Sequence, residues 1–117
     1  MSRAAPRTDA SDRVLTWLIE RGYRFVALDL RLHGTVVPFV VTDGPQTVFV
    51  VVKLVQRRSS GYALELIDRR RATRLLRAIG AYLAAHPDVP SVRIDVVVVS
   101  LAAHGGWRLE HYVNAVP

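Results

Sequence analysis

The sequence predicts one α/β domain built around a very apolar sheet, with elements in the order α-β-β-β-α-β-β. Three observations predict it. Two short runs, 48–52 and 96–99, are hydrophobic on both faces, as strands in the middle of a sheet are. Two longer stretches carry apolar residues at helical spacing behind capping residues. Clusters of Gly, Pro, Asp and Asn separate these stretches. A chain of 117 residues suits one core, and two cores would each be too small to stand alone. Residues 1–8 are small, polar and Pro-containing and read as a disordered start, which leaves 9–117 as the domain.

Taken in order, Asp9 or Ser11 caps a first helix running to Arg21, with Val14, Leu15, Leu18 and Ile19 as its apolar stripe. Gly22 stops it. Residues 23–30 read as a strand and 31–34 as a turn. A second strand over 34–42 contains Pro38, which implies a bulge or an edge. Asp43-Gly-Pro-Gln is a hairpin-type loop. Residues 47–54 form a central strand, and 56–61 a polar loop. Asp68 caps the clearest helix, Arg69–Ala85. Ala72, Leu75, Leu76, Ile79 and Leu83 share one side of that helix, and Arg70, Arg74 and Arg77 the other. His86-Pro-Asp-Val-Pro ends it. Residues 92–101 form a further apolar strand, His104-Gly-Gly a turn, and Trp107–Tyr112 the last strand.

Composition excludes several chemistries. There is no cysteine, so disulfides, thiolate catalysis and Cys-based zinc sites are ruled out. No apolar run approaches the ~20 residues of a membrane helix, and the N-terminus has no apolar signal core, so the expected location is the cytoplasm. Phosphate-loop, dinucleotide-binding and Gly-x-Ser-x-Gly motifs do not occur. His33, His86, His104 and His111 lack metal-ligand spacing and sit in turns or near ends, where exposure is the default. The net charge of +6 favours a polyanionic partner, nucleic acid first. Three consecutive arginines at the positive end of a helix dipole repel it locally, and a phosphate-binding stripe and a solvated helix face both stand as readings of them. The candidate nucleic-acid contacts are Arg69, Arg70, Arg74 and Arg77, with Arg57 and Arg58 from the preceding loop. Lys53 is the single lysine among sixteen basic residues, and it reads either as a position where an ammonium is wanted or as a strand-end lysine reaching solvent. Trp17 and Trp107 read as core or interface aromatics, and the Val-rich strands 2 and 3 as a possible homodimer surface.

Five strings occur in a familiar order: Leu18-Ile-Glu-Arg-Gly22-Tyr23-Arg24, Val48-Phe-Val-Val-Val-Lys53, Glu65-Leu-Ile-Asp-Arg-Arg-Arg71, Arg93-Ile-Asp95-Val-Val and Glu110-His111-Tyr-Val-Asn114-Ala115. Together they resemble the YraN family of bacterial endonuclease-like proteins, relatives of archaeal Holliday-junction resolvases in the restriction-endonuclease-like superfamily. The resemblance implies a mixed sheet of about five strands flanked by helices. It also implies a site where carboxylates hold Mg²⁺ or Mn²⁺ and a lysine helps activate water, because a hard cation wants oxygen ligands.

Carried across, the family's glycine falls on Gly34, its two following acids on Thr35 and Val37, and its Glu-x-Lys pair on Val51 and Lys53. The first-helix glutamate falls near Ser11, beside Asp12. Of these, Lys53 matches and stands as the remnant of the catalytic set. Thr35, Val37 and Val51 occupy former acid positions, as β-branched residues suited to buried strands. The expectation is therefore a nucleic-acid-associated domain, DNA first, of endonuclease-like ancestry and without metal-dependent cleavage, a metal being expected only with the acids in place. Two alternatives stand beside it: an active nuclease using displaced acids such as Asp29, Glu65 or Asp95, and a structural or dimerisation module. For Asp95 the expected partners are Arg93 or Lys53.

Overall fold

The computed structural model describes residues 9–32, 34–55, 68–101 and 105–115. Helix α1 spans Asp9–Glu20, strands β1, β2 and β3 span Arg24–Leu32, Thr35–Asp43 and Gln46–Val55, helix α2 spans Arg69–Ala85, and β4 and β5 span Ser91–Leu101 and Trp107–Tyr112. The expected element order and the mixed five-stranded sheet are both found. Strands run in the order β1-β2-β3-β4-β5. All neighbours are antiparallel except β3 and β4, whose parallel pairing requires the crossover that α2 occupies.

The helices cover opposite faces. Ala10, Val14 and Leu18 of α1 pack on Phe39, Val41, Val48, Val50, Val97 and Val99. Leu75 and Ile79 of α2 pack on Val37, Val40, Phe49, Val51, Ile94, Val96 and Val98. Strands β3 and β4 thus bury residues on both faces, which is why they are apolar without alternation.

Local signals set the helix ends. The Asp68 side chain accepts the Arg71 N–H at 2.8 Å and caps α2. After α1, Gly22 takes φ 95°, the Gly22 N–H reaches the Ile19 carbonyl and the Tyr23 N–H the Leu18 carbonyl. This is a Schellman stop, and it needs a residue free to adopt positive φ.

Three expectations about the elements change. The turn is tighter than 31–34, because Arg31 and Leu32 still pair with Val36 and Thr35. Leu76 is exposed, and Ala78 takes the inward place beside Leu75 and Ile79. The shift in register falls in β1, between Phe25 and Ala27, and not in β2. At Pro38 the expected edge is found in place of the bulge. The β2–β3 ladder runs from Asp43–Gln46 to Phe39–Val50 and stops there, next to the residue with no N–H to give. Opposite Pro38 stands Asp29, in left-handed conformation at φ 49°. At this kink alternation skips a step, so Val37 joins Val40 on the α2 side while Phe39 and Val41 face α1.

Candidate functional site

Beyond Phe39 and Val50, β2 pairs only with β1 and β3 only with β4, so the middle of the sheet opens into a fork. The fork collects the residues singled out by resemblance. Val37 on one arm and Val51 on the other lie in the same apolar cluster under α2. Lys53 follows Val51 by two positions and shares its face, and Thr35 precedes Val37 by two on the other arm. Val37 and Val51 are closed off, at 0 % and 1 % exposure, and Lys53 is half-buried at the open end.

The donor set that the described residues bring to the fork does not suit a divalent metal. Two valines offer no lone pair, a lysine brings like charge, and the Thr35 hydroxyl is one neutral oxygen where Mg²⁺ prefers several, some of them charged. Thr35 Oγ1 is buried and has no hydrogen-bond partner among the described residues. A buried hydroxyl without a partner costs about 1–3 kcal/mol. Thr35→Val keeps the shape and removes that cost, so its expected result is a domain as stable or up to about 1 kcal/mol more stable in urea unfolding. Loss of more than 1 kcal/mol would show that the hydroxyl is held by an interaction.

The arginines lie on the outer surface of α2. Arg69, Arg70, Arg74 and Arg77 are exposed, and with Asp68 and Thr73 they line an open cleft of about 810 Å³. Arg70, Arg74 and Arg77 repeat at i, i+4 and i+7 and so form one stripe roughly 10 Å long. Arg57, Arg58 and Glu65 lie outside the described residues, as do His33 and His104. A second cleft, of about 630 Å³, lies between α1 and β5, flanked by Trp17 and Trp107. These half-buried rings are covered by Arg21, 3.8 Å above Trp17, and Arg13, 5.2 Å above Trp107.

The α1 face holds a polar network that the residue-by-residue reading largely missed. Asp95 is fully buried. Its Oδ1 accepts from Arg93 Nε at 2.9 Å and from the Asn114 backbone N–H at 2.9 Å. Its Oδ2 accepts from Arg93 Nη2 at 3.1 Å and from His111 Nε2 at 2.8 Å. The remaining guanidinium hydrogens go to Asp43 Oδ2, Gln46 Oε1 and the Tyr23 hydroxyl, so Arg93 uses all five donors. Burial pushes the Asp95 carboxyl upward. The hydrogen bonds from His111, Arg93 and Asn114, with the Arg93 charge, outweigh it and hold the group below its ordinary value. The Arg93 guanidinium is shifted upward, first by its hydrogen bond to Asp95.

Two expectations fall here. Lys53 pairs in register with Val98, on the α2 side, so it stands across the sheet from Asp95 and cannot be its partner. His111 is not exposed: it is tucked beneath Trp17, with ring centroids 5.4 Å apart, and bonds Asp95. The β4–β5 register sets His111 beside Val97, diagonal to Asp95 on the same face. A signal existed in the sequence, since Tyr23, Arg93, Asp95, His111 and Asn114 all belong to the strings that carry the resemblance. The network also bears on Asp95 as a displaced metal ligand, because each of its oxygens already accepts two hydrogen bonds. Among the described residues no three His, Cys, Asp or Glu side chains converge.

Comparison with known proteins identifies the lineage. The model of an uncharacterised protein family, UPF0102, matches residues 10–99. A UPF0102 protein of Chlorobium phaeobacteroides is 31% identical over 109 residues, covering 86% of this chain and 85% of the relative. One from Kineococcus radiotolerans is 35% identical over 96 residues, covering 80% and 79%. One from Frankia alni is 42% identical over 77 residues, covering 65% and 64%. This chain therefore belongs to the UPF0102 family. Among its described residues no helix is long and apolar enough to cross a membrane.

Proposed function

We propose that this UPF0102 chain is a nucleic-acid-binding domain of endonuclease-like ancestry that does not cleave phosphodiesters with a metal. The observation that carries the reading is the fork: Val37 and Val51 are sealed into hydrocarbon beneath Leu75 and Ile79. A phosphodiester and its metal need an open, oxygen-lined site at that point. Lys53 stands at the mouth of the fork as the remnant of the ancestral set, with Thr35, Val37 and Val51 at the former acid positions. Asp95, the nearest thing to a displaced acid in a buried strand, faces the other side of the sheet and is saturated.

Binding is assigned to the α2 stripe. Arg69, Arg70, Arg74 and Arg77 present guanidinium groups outward, and such groups meet phosphate oxygens in bidentate geometry. Backbone contacts of this kind position a protein without reading sequence. The test is a mobility-shift assay on duplex and branched DNA with Mg²⁺ or Mn²⁺ present. The expected result is retarded, intact DNA. Arg74→Ala should weaken binding alike on every sequence and lower the salt slope by about 0.9. DNA cleaved by the unaltered chain, or DNA not bound at low salt, would overturn the reading.

A further inference from the structure

The Val-rich strands offer no surface of their own, since Val40, Val41, Val48, Val50 and Val51 are all buried within the chain. The α1 side of the sheet carries instead the open cleft of about 630 Å³ between α1 and β5. Small-molecule sites span roughly 300–1,000 Å³. Asp12, Thr16 and Glu20 follow one another at i, i+4 and i+8 and edge the cleft along α1. Both tryptophans of the chain stand in it, Trp17 on α1 and Trp107 on β5. The two rings are not covered alike. Arg21 lies 3.8 Å above Trp17, within the close-contact range of about 3.5–4.0 Å, so that ring face is taken. Arg13 stands 5.2 Å from the Trp107 ring, beyond close stacking, and is itself exposed.

We propose that this cleft binds a guanine base, stacked on Trp107 with its Watson–Crick edge on the Glu20 carboxylate. Stacking supplies affinity without choice, because every base has a π face. The choice comes from the carboxylate, whose oxygens only accept. Guanine alone presents two adjacent donors on that edge, its ring N–H and its amino group. Adenine and cytosine set an amino group beside a ring nitrogen that accepts. Uracil and thymine flank one N–H with two carbonyls. Each of these turns at least one lone pair against a carboxylate oxygen. Asp12 already interacts within the chain, so Glu20 is the assigned acceptor.

The charges of the cleft fit the same ligand. A guanine nucleotide carries a donor edge at one end and an anionic phosphate at the other, and the cleft sets carboxylates beside Arg13 and Arg21. When the base takes the Trp107 face, the exposed Arg13 side chain swings to the phosphate and exchanges a cation–π contact for a charge-assisted hydrogen bond. An organic cation fits less well. It competes with these two arginines for the rings, and the net charge of +6 opposes it. The ligand chemistry is thus a guanine base with its phosphate, from a free nucleotide or from an unpaired guanine in a strand.

The test is quenching of tryptophan emission, which reads this cleft because both tryptophans of the chain lie in it. GMP, AMP, CMP and UMP are titrated into the full chain, as is an oligothymidine strand with and without one central guanine. The expected result is saturable quenching by guanine at concentrations about tenfold or more below those the other bases need. Quenching by GMP alone assigns the site to a free nucleotide, and tighter quenching by the guanine strand assigns it to a nucleic acid. Glu20→Gln, at an exposed position, should keep its circular dichroism and lose most of the preference for guanine. No saturable quenching by guanine from either source, equal quenching by every base, or a preference undiminished in Glu20→Gln overturns the proposal. None of these outcomes bears on the α2 stripe, because both rings pack on the α1 side of the sheet.

Discussion

Asp95→Asn is expected to lower the unfolding free energy by about 3 kcal/mol, because it removes the buried counter-ion of Arg93 and leaves only the half-exposed Asp43. The Arg93 side chain is only 10% exposed and the Asp95 side chain 0%. The network suits a carboxylate alone: four donors converge on two oxygens that only accept. An asparagine of the same shape turns one of those acceptors into a donor, and in either orientation that donor faces an Arg93 N–H. The damage spreads, because Arg93 also ties Tyr23, after α1, to Asp43 and Gln46 in the β2–β3 hairpin. The same substitution should flatten the acid limb of the stability profile. Asp95 titrates lower in the folded chain than its ordinary 3.8. Its contribution is therefore complete above about pH 5 and is lost as pH falls through the folded value. Urea unfolding of both chains at pH 7 and in steps from pH 4 down to pH 2 measures both effects. A change under 0.5 kcal/mol at pH 7 would show that the network contributes little.

The double substitution Val37→Asp, Val51→Glu should cost more, in excess of about 4 kcal/mol, because it buries two like charges in hydrocarbon. That cost gives a readout independent of activity. If the fork descends from a metal site, Mg²⁺ or Mn²⁺ should return part of the lost stability. The return is about 2.7 kcal/mol at one hundred times the dissociation constant. The unaltered chain, with valine at both positions, should gain nothing from the same salt. Melting temperatures with and without the metal make the comparison. A restored variant whose stability ignores the metal would count against descent from a metal site.

What the sequence revealed follows from the range of each interaction. Helix α2 was legible to the residue because its signals are local: Asp68 caps three residues ahead, and the apolar spacing repeats within the helix. β3 was legible as central because burial on both faces leaves its mark on every residue. The fork was not legible without the family resemblance. It depends on where β2 leaves β3, and Pro38 announced an irregularity without saying which ladder would end. His111 was misread for the same kind of reason, since it lies near the end of the chain and its burial is decided by the β4–β5 register. Leu76 shows the limit of periodicity: it lies at the margin of the apolar stripe and is exposed, while Leu75, Ala78 and Ile79 are buried.

The proposed account rests on phosphate contacts from α2 at a domain that leaves its ligand intact. The most direct measurement is binding of a fluorescent DNA duplex across a salt series in the presence of Mg²⁺, followed by inspection of the recovered strand. If Arg69, Arg70, Arg74 and Arg77 each neutralise one phosphate, log affinity should fall against log salt with a slope of about −3.6, and the strand should come back whole. A flat dependence, or a shortened strand, would contradict it.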